Sequence, residues 1–159
     1  MNIKIFCVGK VKESYISEAI KEYSKRISKY SSFEIIEVTD EIIPSNASDK
    51  DIENIKKLEA DKISKYIKPS DFVIALDLKG EALSSEEFAA KLQDITVKGF
   101  STICFIIGGT AGIHTSLISR SNYKLSFSKL TFPHQLIRLF LSEQIFRCFK
   151  IINNEKYHW

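Results

Sequence analysis

The sequence predicts an α/β protein: one domain on a mainly parallel sheet of five to six strands, with helices on both faces. Three observations predict it. Apolar runs of strand length alternate with segments of helical period along the whole chain. Residues 71–76 and 101–107 are apolar almost throughout, as a parallel strand covered on both faces must be. A chain of 159 residues can bury about 70% of its unfolded surface in one core.

The elements follow in order. Residues 3–8 form the first strand. From Ser14, apolar positions at Ile16, Ala19, Ile20, Tyr23, Ile27 and Tyr30 make one helical face. Residues 33–38 are the second strand, and 39–47, with Pro44 and Asn46, a loop. Ser48 with Asp51 opens the next helix in a capping-box arrangement. Its expected buried side is Ile52, Ile55, Leu58, Ile63, Tyr66 and Ile67, and Pro69 stops it. The third strand ends at Leu76, with a turn at Lys79 and Gly80. Ser84 with Glu87 caps a helix that buries Phe88, Ala89, Leu92 and Ile95. The fourth strand, 101–107, runs into Gly108 and Gly109. A short helix over 113–120 and a fifth strand over 122–127 follow. Pro133 sits in the first turn of the last helix, 135–150, where its missing N–H costs nothing. That helix is expected to bury Leu136, Ile137, Phe140, Leu141, Ile145 and Phe146, and to expose Gln135, Arg138, Ser142 and Glu143.

Composition narrows the class. No run of ~18 apolar residues offers a membrane span. Residues 1–9 lack a basic leader and a small-residue cleavage site, so they read as a strand and not a signal peptide. Cys7, Cys104 and Cys148 are far apart, without CxxC spacing, and read as buried thiols in a reducing cytoplasm. The net charge of +3 is unevenly spread. Residues 100–159 hold seven Lys/Arg and two acids, a balance of +5, which leaves −2 for residues 1–99. A basic excess beside a glycine loop and an aromatic tail suits an anionic partner such as RNA or phosphate.

The candidate chemistry lies in the last third. Ligands of open α/β sheets bind at the carboxyl ends of the strands. There the chain places Gly108, Gly109 and Gly112, glycines that let backbone approach a ligand or simply build a turn. No GxGxxG or GxxxxGK[ST] spacing occurs, which argues against dinucleotide and P-loop sites. Residues 127–132 offer backbone donors, two hydroxyls and a cation before a helix N-terminus, a setting for an anion or for a cap by Thr131. His134 and Arg138, four apart, share a helix face. Arg138 either holds an anion or carbonyl or forms an ion pair. Tyr157, His158 and Trp159 end the chain with rings suited to stacking on a base or docking on a partner. Asp77 is the best lone acid, though such an acid more often caps a turn. No HExxH or metal-ligand spacing stands out.

Taken together, Ile107-Gly108-Gly109, residues 125–134 (LSFSKLTFPH), Arg138 and the ending Tyr157-His158 closely resemble the RlmH family of SPOUT-superfamily methyltransferases. Val8-Gly9-Lys10, Ser121-Asn122-Tyr123 and the chain length fit the same family. The resemblance implies a single domain over 1–159 with a C-terminal trefoil knot over about 101–159, packed as a homodimer. It implies S-adenosylmethionine as methyl donor and no metal. The cofactor contacts would be Leu76, Gly108, Gly109, Phe127, Ser128, Lys129, Leu130, Thr131 and Phe132. The substrate would be N3 of a pseudouridine in the helix 69 stem-loop of 23S ribosomal RNA, on the assembled 70S ribosome. Arg138 would stabilise the developing anion, Tyr157 and His158 would wall the substrate, and His158 or a water would take the proton. Members often end in Tyr-His followed by a basic residue; here Trp159 stands in that place, offering stacking instead of a phosphate contact. Three other readings stay open: a ribosome-associated factor without activity, a SPOUT enzyme acting on another RNA, and a flavodoxin-like nucleotide module. The last is weakened by the single glycine after the first strand.

Overall fold

A computed structural model describes residues 1–157. Ten elements alternate: β1 (Asn2–Val8), α1 (Ser14–Ile27), β2 (Ser32–Val38), α2 (Asp49–Ser64), β3 (Phe72–Ala82), α3 (Ser85–Val97), β4 (Thr102–Ile107), α4 (Thr115–Arg120), β5 (Tyr123–Ser126) and α5 (His134–Ile152). The strands form one five-stranded sheet in the order β2-β1-β4-β3-β5. Every strand pair is parallel.

The period-2 alternation of the strands divides the core into two layers. Ile3, Ile5 and Cys7 of β1 and Ile103, Phe105 and Ile107 of β4 face α1, α3 and α5. Phe6, Val8, Cys104 and Ile106 face α2 and α4. Helices therefore cover both faces, which is why β3 and β4 read as continuous apolar runs. Both capping boxes form: Ser48 and Asp51 start α2, and Ser84 and Glu87 start α3. All three cysteines are free and buried. Burial pushes the Cys7 and Cys104 thiols up to about 12.

Four expectations need correction. Leu58 on α2 and Tyr66, in the turn just past its end, are exposed. The buried stripe is Ile55, Ala60 and Ile63 with Glu59, whose carboxylate accepts from the Glu41 N–H at 3.0 Å. On α5, Arg138 and Ser142 are buried and Phe140 is exposed. The apolar count missed this because both polar groups find partners inside. Ser142 Oγ donates to the Arg138 carbonyl at 2.8 Å, and Arg138 binds Glu37 and the Val8 carbonyl. Thr131 does not cap α5; Pro133 is its N-cap residue, and no side chain caps that end.

The fourth correction concerns β3, which does not stop at Leu76. Leu125 of β5 pairs with both Leu76 and Glu81, so residues 77–80 leave the ladder and the strand resumes beyond them. Asp77 Oδ1 caps this excursion by accepting from the Lys79 N–H at 2.9 Å. Gly80 crosses so close to β5 that a Cβ there would lie 2.7 Å from backbone atoms of Lys124 and Leu125. Backbone cannot yield as a flexible side chain can. Gly80→Ala is therefore expected to cost about 1–3 kcal/mol, read as a lower urea midpoint with an unchanged slope.

Candidate functional site

The carboxyl ends of β3, β4 and β5 open into a cleft of about 820 Å³, within the ~300–1,000 Å³ usual for small-molecule sites. Leu76 and the excursion after it form one wall. Residues 107–113 form the floor, and the loop after β5 with the first turn of α5 forms the other wall. The position is the one that strand topology favours for ligands.

Backbone dominates the floor. Gly112 N–H donates to the Gly109 carbonyl at 3.0 Å, closing a tight turn, and Gly112 takes φ +91°. A Cβ on Gly108 would lie 2.8 Å from both the Gly112 carbonyl carbon and Ile113 Cγ1. A Cβ on Gly109 would lie 2.8 Å from Val8 Cγ1 and 3.3 Å from Glu59 Oε2. The two glycines thus serve different neighbours: Gly108 keeps the cleft turn closed, while Gly109 lets that turn sit on β1 and α2.

The far wall is the loop Phe127, Ser128, Lys129, Leu130, Thr131 and Phe132. It holds itself together: Ser126 Oγ donates to the Ser128 carbonyl at 3.1 Å, and Ser128 Oγ accepts from the Leu130 N–H at 3.0 Å. It leads into an α5 N-terminus with no side-chain cap, whose first N–H groups lack intrahelical acceptors. His134, the first residue of α5, lines the cleft and bonds Thr110 Oγ1 through Nε2 at 3.2 Å. Burial, then the nearby Arg138 guanidinium, hold its pKa below the ordinary 6.5. The imidazole is therefore neutral at pH 7.

This has a pH consequence. The folded chain binds the His134 proton less tightly than the unfolded chain does. Stability from this residue is then complete above about pH 6.5. It falls as the pH drops through 6.5 toward the folded value. Acid-side denaturation curves between pH 7 and 5 should flatten in His134→Gln.

Of the nine residues expected to hold a cofactor, Leu76, Gly108, Gly109, Phe127, Ser128, Leu130, Thr131 and Phe132 line the cleft; Lys129 is exposed on the loop and does not. Of the expected catalytic residues, Arg138 and Tyr157 take separate partners within one chain. Arg138, 1% exposed, donates from Nη1 to Glu37 Oε1 at 2.9 Å and from Nη2 to the Val8 carbonyl at 2.7 Å. The ion pair left open as one reading of Arg138 is formed, with Glu37. Tyr157 donates to Glu143 Oε1 at 3.1 Å and packs edge-on against Phe146, outside the cleft lining. Burial pushes its phenol pKa up. His158 and Trp159 lie outside the described residues.

Sequence reasoning missed Leu78, Ile118 and Ile137 as lining residues. Ile137 carried a signal, its place one turn into α5 beside His134. Leu78 carried none, because the β3 excursion was not foreseen. Among the described residues no cluster of His, Cys, Asp and Glu could hold a metal ion, and no helix is long and apolar enough to cross a membrane.

Comparison with known proteins agrees with this geometry. Residues 1–158 match the family described as "Predicted SPOUT methyltransferase". A Clostridium botulinum (strain Okra) protein named Ribosomal RNA large subunit methyltransferase H is 55% identical over 158 residues, 99% of each chain. Proteins of the same name from Clostridium tetani and Desulforamulus reducens are 54% and 52% identical, again over 99% of each chain. With a cleft at the sheet's carboxyl edge and similarity across nearly its whole length, the chain belongs to the RlmH family of SPOUT methyltransferases.

Proposed function

We propose that this chain uses S-adenosylmethionine to methylate N3 of a pseudouridine in the helix 69 stem-loop of 23S ribosomal RNA. In this reading it acts in the cytoplasm on the assembled 70S ribosome, as a homodimer knotted over about residues 101–159. The observation that carries the reading is the glycine-floored cleft, in a chain whose relatives are named for methylation of large-subunit ribosomal RNA.

The residues fit the cofactor. Gly108 keeps the floor turn closed where a Cβ would force it open, the α5 N-terminus is uncapped, and the walls at Leu76, Ile118, Leu130 and Ile137 are apolar. Leu76, Gly108, Gly109 and the loop 127–132 would hold it, with Lys129 reaching over the rim. When bound, S-adenosylmethionine supplies an electrophilic methyl on a sulfonium. The protein's own task is to align a nucleophile with that methyl, and alignment can supply much of the rate. An imide nitrogen must lose its proton before it attacks, so the site needs a proton acceptor and positive potential. Arg138 supplies that potential from behind His134, whose proton affinity it already lowers. His158 or a water takes the proton.

The position of Tyr157 supports the dimer. In one chain it lies at Glu143, outside the cleft lining, so a wall made by Tyr157 and His158 is best supplied by a second copy. Leu78, Leu130, Phe132 and Phe140 are large apolar side chains exposed beside the cleft, as an interface there requires.

Methyl transfer from labelled S-adenosylmethionine tests the reading. The acceptors are 70S ribosomes lacking the modification, isolated 50S subunits and bulk transfer RNA, with nucleosides identified by mass spectrometry. The expected product is N3-methylpseudouridine from 70S particles. Label confined to transfer RNA would overturn the substrate. Cofactor binding without transfer to any of the three would do the same.

A further inference from the structure

The segment between β1 and α1 is an exposed loop without regular structure, yet its backbone is tied down from three sides. Val11 N–H donates to Glu37 Oε1 at 3.0 Å. Lys12 N–H and Glu13 N–H both donate to Gln135 Oε1, at 2.8 and 3.3 Å. Gly9, at φ +79°, bonds through its N–H to the Val38 carbonyl at 2.8 Å. Behind this sits Arg138, buried between Glu37 and the Val8 carbonyl. Burying a guanidinium is costly unless its pairing is good. What this pairing secures is the start and middle of a surface loop.

The ties also locate the loop. Gln135 follows His134, which lines the cleft, and Val8 lies against Gly109 of the cleft floor. The exposed residues on the tied backbone are Lys10, Lys12 and Glu13, and the two lysines outnumber the one acid; neither lysine has an ion-pair partner among the described residues. Tyr15, in the first turn of α1, is 64% exposed. Two cations and an open aromatic ring on a rigid strip match a single-stranded nucleic-acid contact, with phosphates on the ammonium groups and a base on the ring.

We propose that residues 9–15 form a pre-organised RNA-contacting arm beside the cleft: Lys10 and Lys12 bind phosphates next to the target nucleotide, Tyr15 stacks on an unpaired base, and Glu37, Gln135 and Arg138 hold the arm in register. The proposal rests on the RNA-methyltransferase reading above and deepens it. Fixing the arm in advance removes an ordering cost that a free loop would meet on binding.

The test measures binding of two probes over a salt series: the naked pseudouridine-bearing stem-loop and 70S ribosomes lacking the modification. Lys10→Gln/Lys12→Gln should bind both about tenfold more weakly and lower the salt slope by about 1.4–1.8, since each phosphate contact contributes ~0.7–0.9. Tyr15→Ala should lose affinity without a change in slope. Gln135→Ala should weaken both probes while S-adenosylmethionine affinity holds. Unchanged affinity and slope in the double lysine variant, with wild-type methyl transfer intact, would overturn the arm and leave the activity standing. A loss on 70S particles alone would also overturn it, because the arm would then be docking on protein. If the wild type neither binds nor methylates either probe, the reading beneath the proposal fails, and the arm with it.

Discussion

Replacing Arg138 with methionine is expected to lower stability by about 3 kcal/mol, the low end of the cost of breaking a buried ion pair. The low end applies because Glu37, its partner, keeps about a third of its side chain exposed and is partly solvated. Methionine fills much of the arginine's volume, so little of the cost is cavity. What remains is a carboxylate without its cation and a Val8 carbonyl without its donor. Urea unfolding measures the change, and Glu37→Gln/Arg138→Met should recover part of it because no unpaired charge is then left. Arg138→Lys separates stability from chemistry. It keeps the positive charge and loses the two-pronged grip. If the charge acts from behind His134, turnover at saturating cofactor should fall modestly, in step with stability. A collapse of turnover in a well-folded Arg138→Lys would mean that the guanidinium touches the substrate.

Gly108→Ala is the second large effect. Its Cβ would meet the Gly112 carbonyl carbon and Ile113 Cγ1, both at 2.8 Å, so the turn that floors the cleft must open. Overpacking of this kind costs about 1–3 kcal/mol. Because it falls on the ligand's floor, it should appear as S-adenosylmethionine binding weakened about 5- to 150-fold. Gly109→Ala is the matched comparison. Its Cβ meets Val8 and Glu59, on the α2 side of the sheet, so its cost should fall mainly on thermal stability. Titration calorimetry beside thermal unfolding separates the two. Unchanged cofactor affinity in Gly108→Ala would move the ligand off this loop.

The two glycines also show where sequence reading stops. Their position after a buried strand marks them as a ligand loop or a turn; the structure shows the turn, lining the cleft. Which neighbour each one spares depends on β1 and α2 lying beneath, and no local pattern carries that. Leu76 and the loop 127–132 were placed at the same sheet edge from strand ends alone, and the cleft lining includes all of them except Lys129. The excursion that adds Leu78 was invisible, because it exists only where β3 and β5 break register.

By itself the sequence determined the alternation of strands and helices, both capping boxes, the doubly covered parallel sheet and the edge at which the cleft opens. These follow from hydrophobic period and from residues acting within a few positions of one another. Only the tertiary structure decided the strand order, the buried face of α5 and the partners of Arg138. Those depend on groups up to 130 residues apart, Arg138 on Val8 and on Glu37. A polar residue counts as exposed until its partner is in place, and the partner of Arg138 arrives from the far end of the chain.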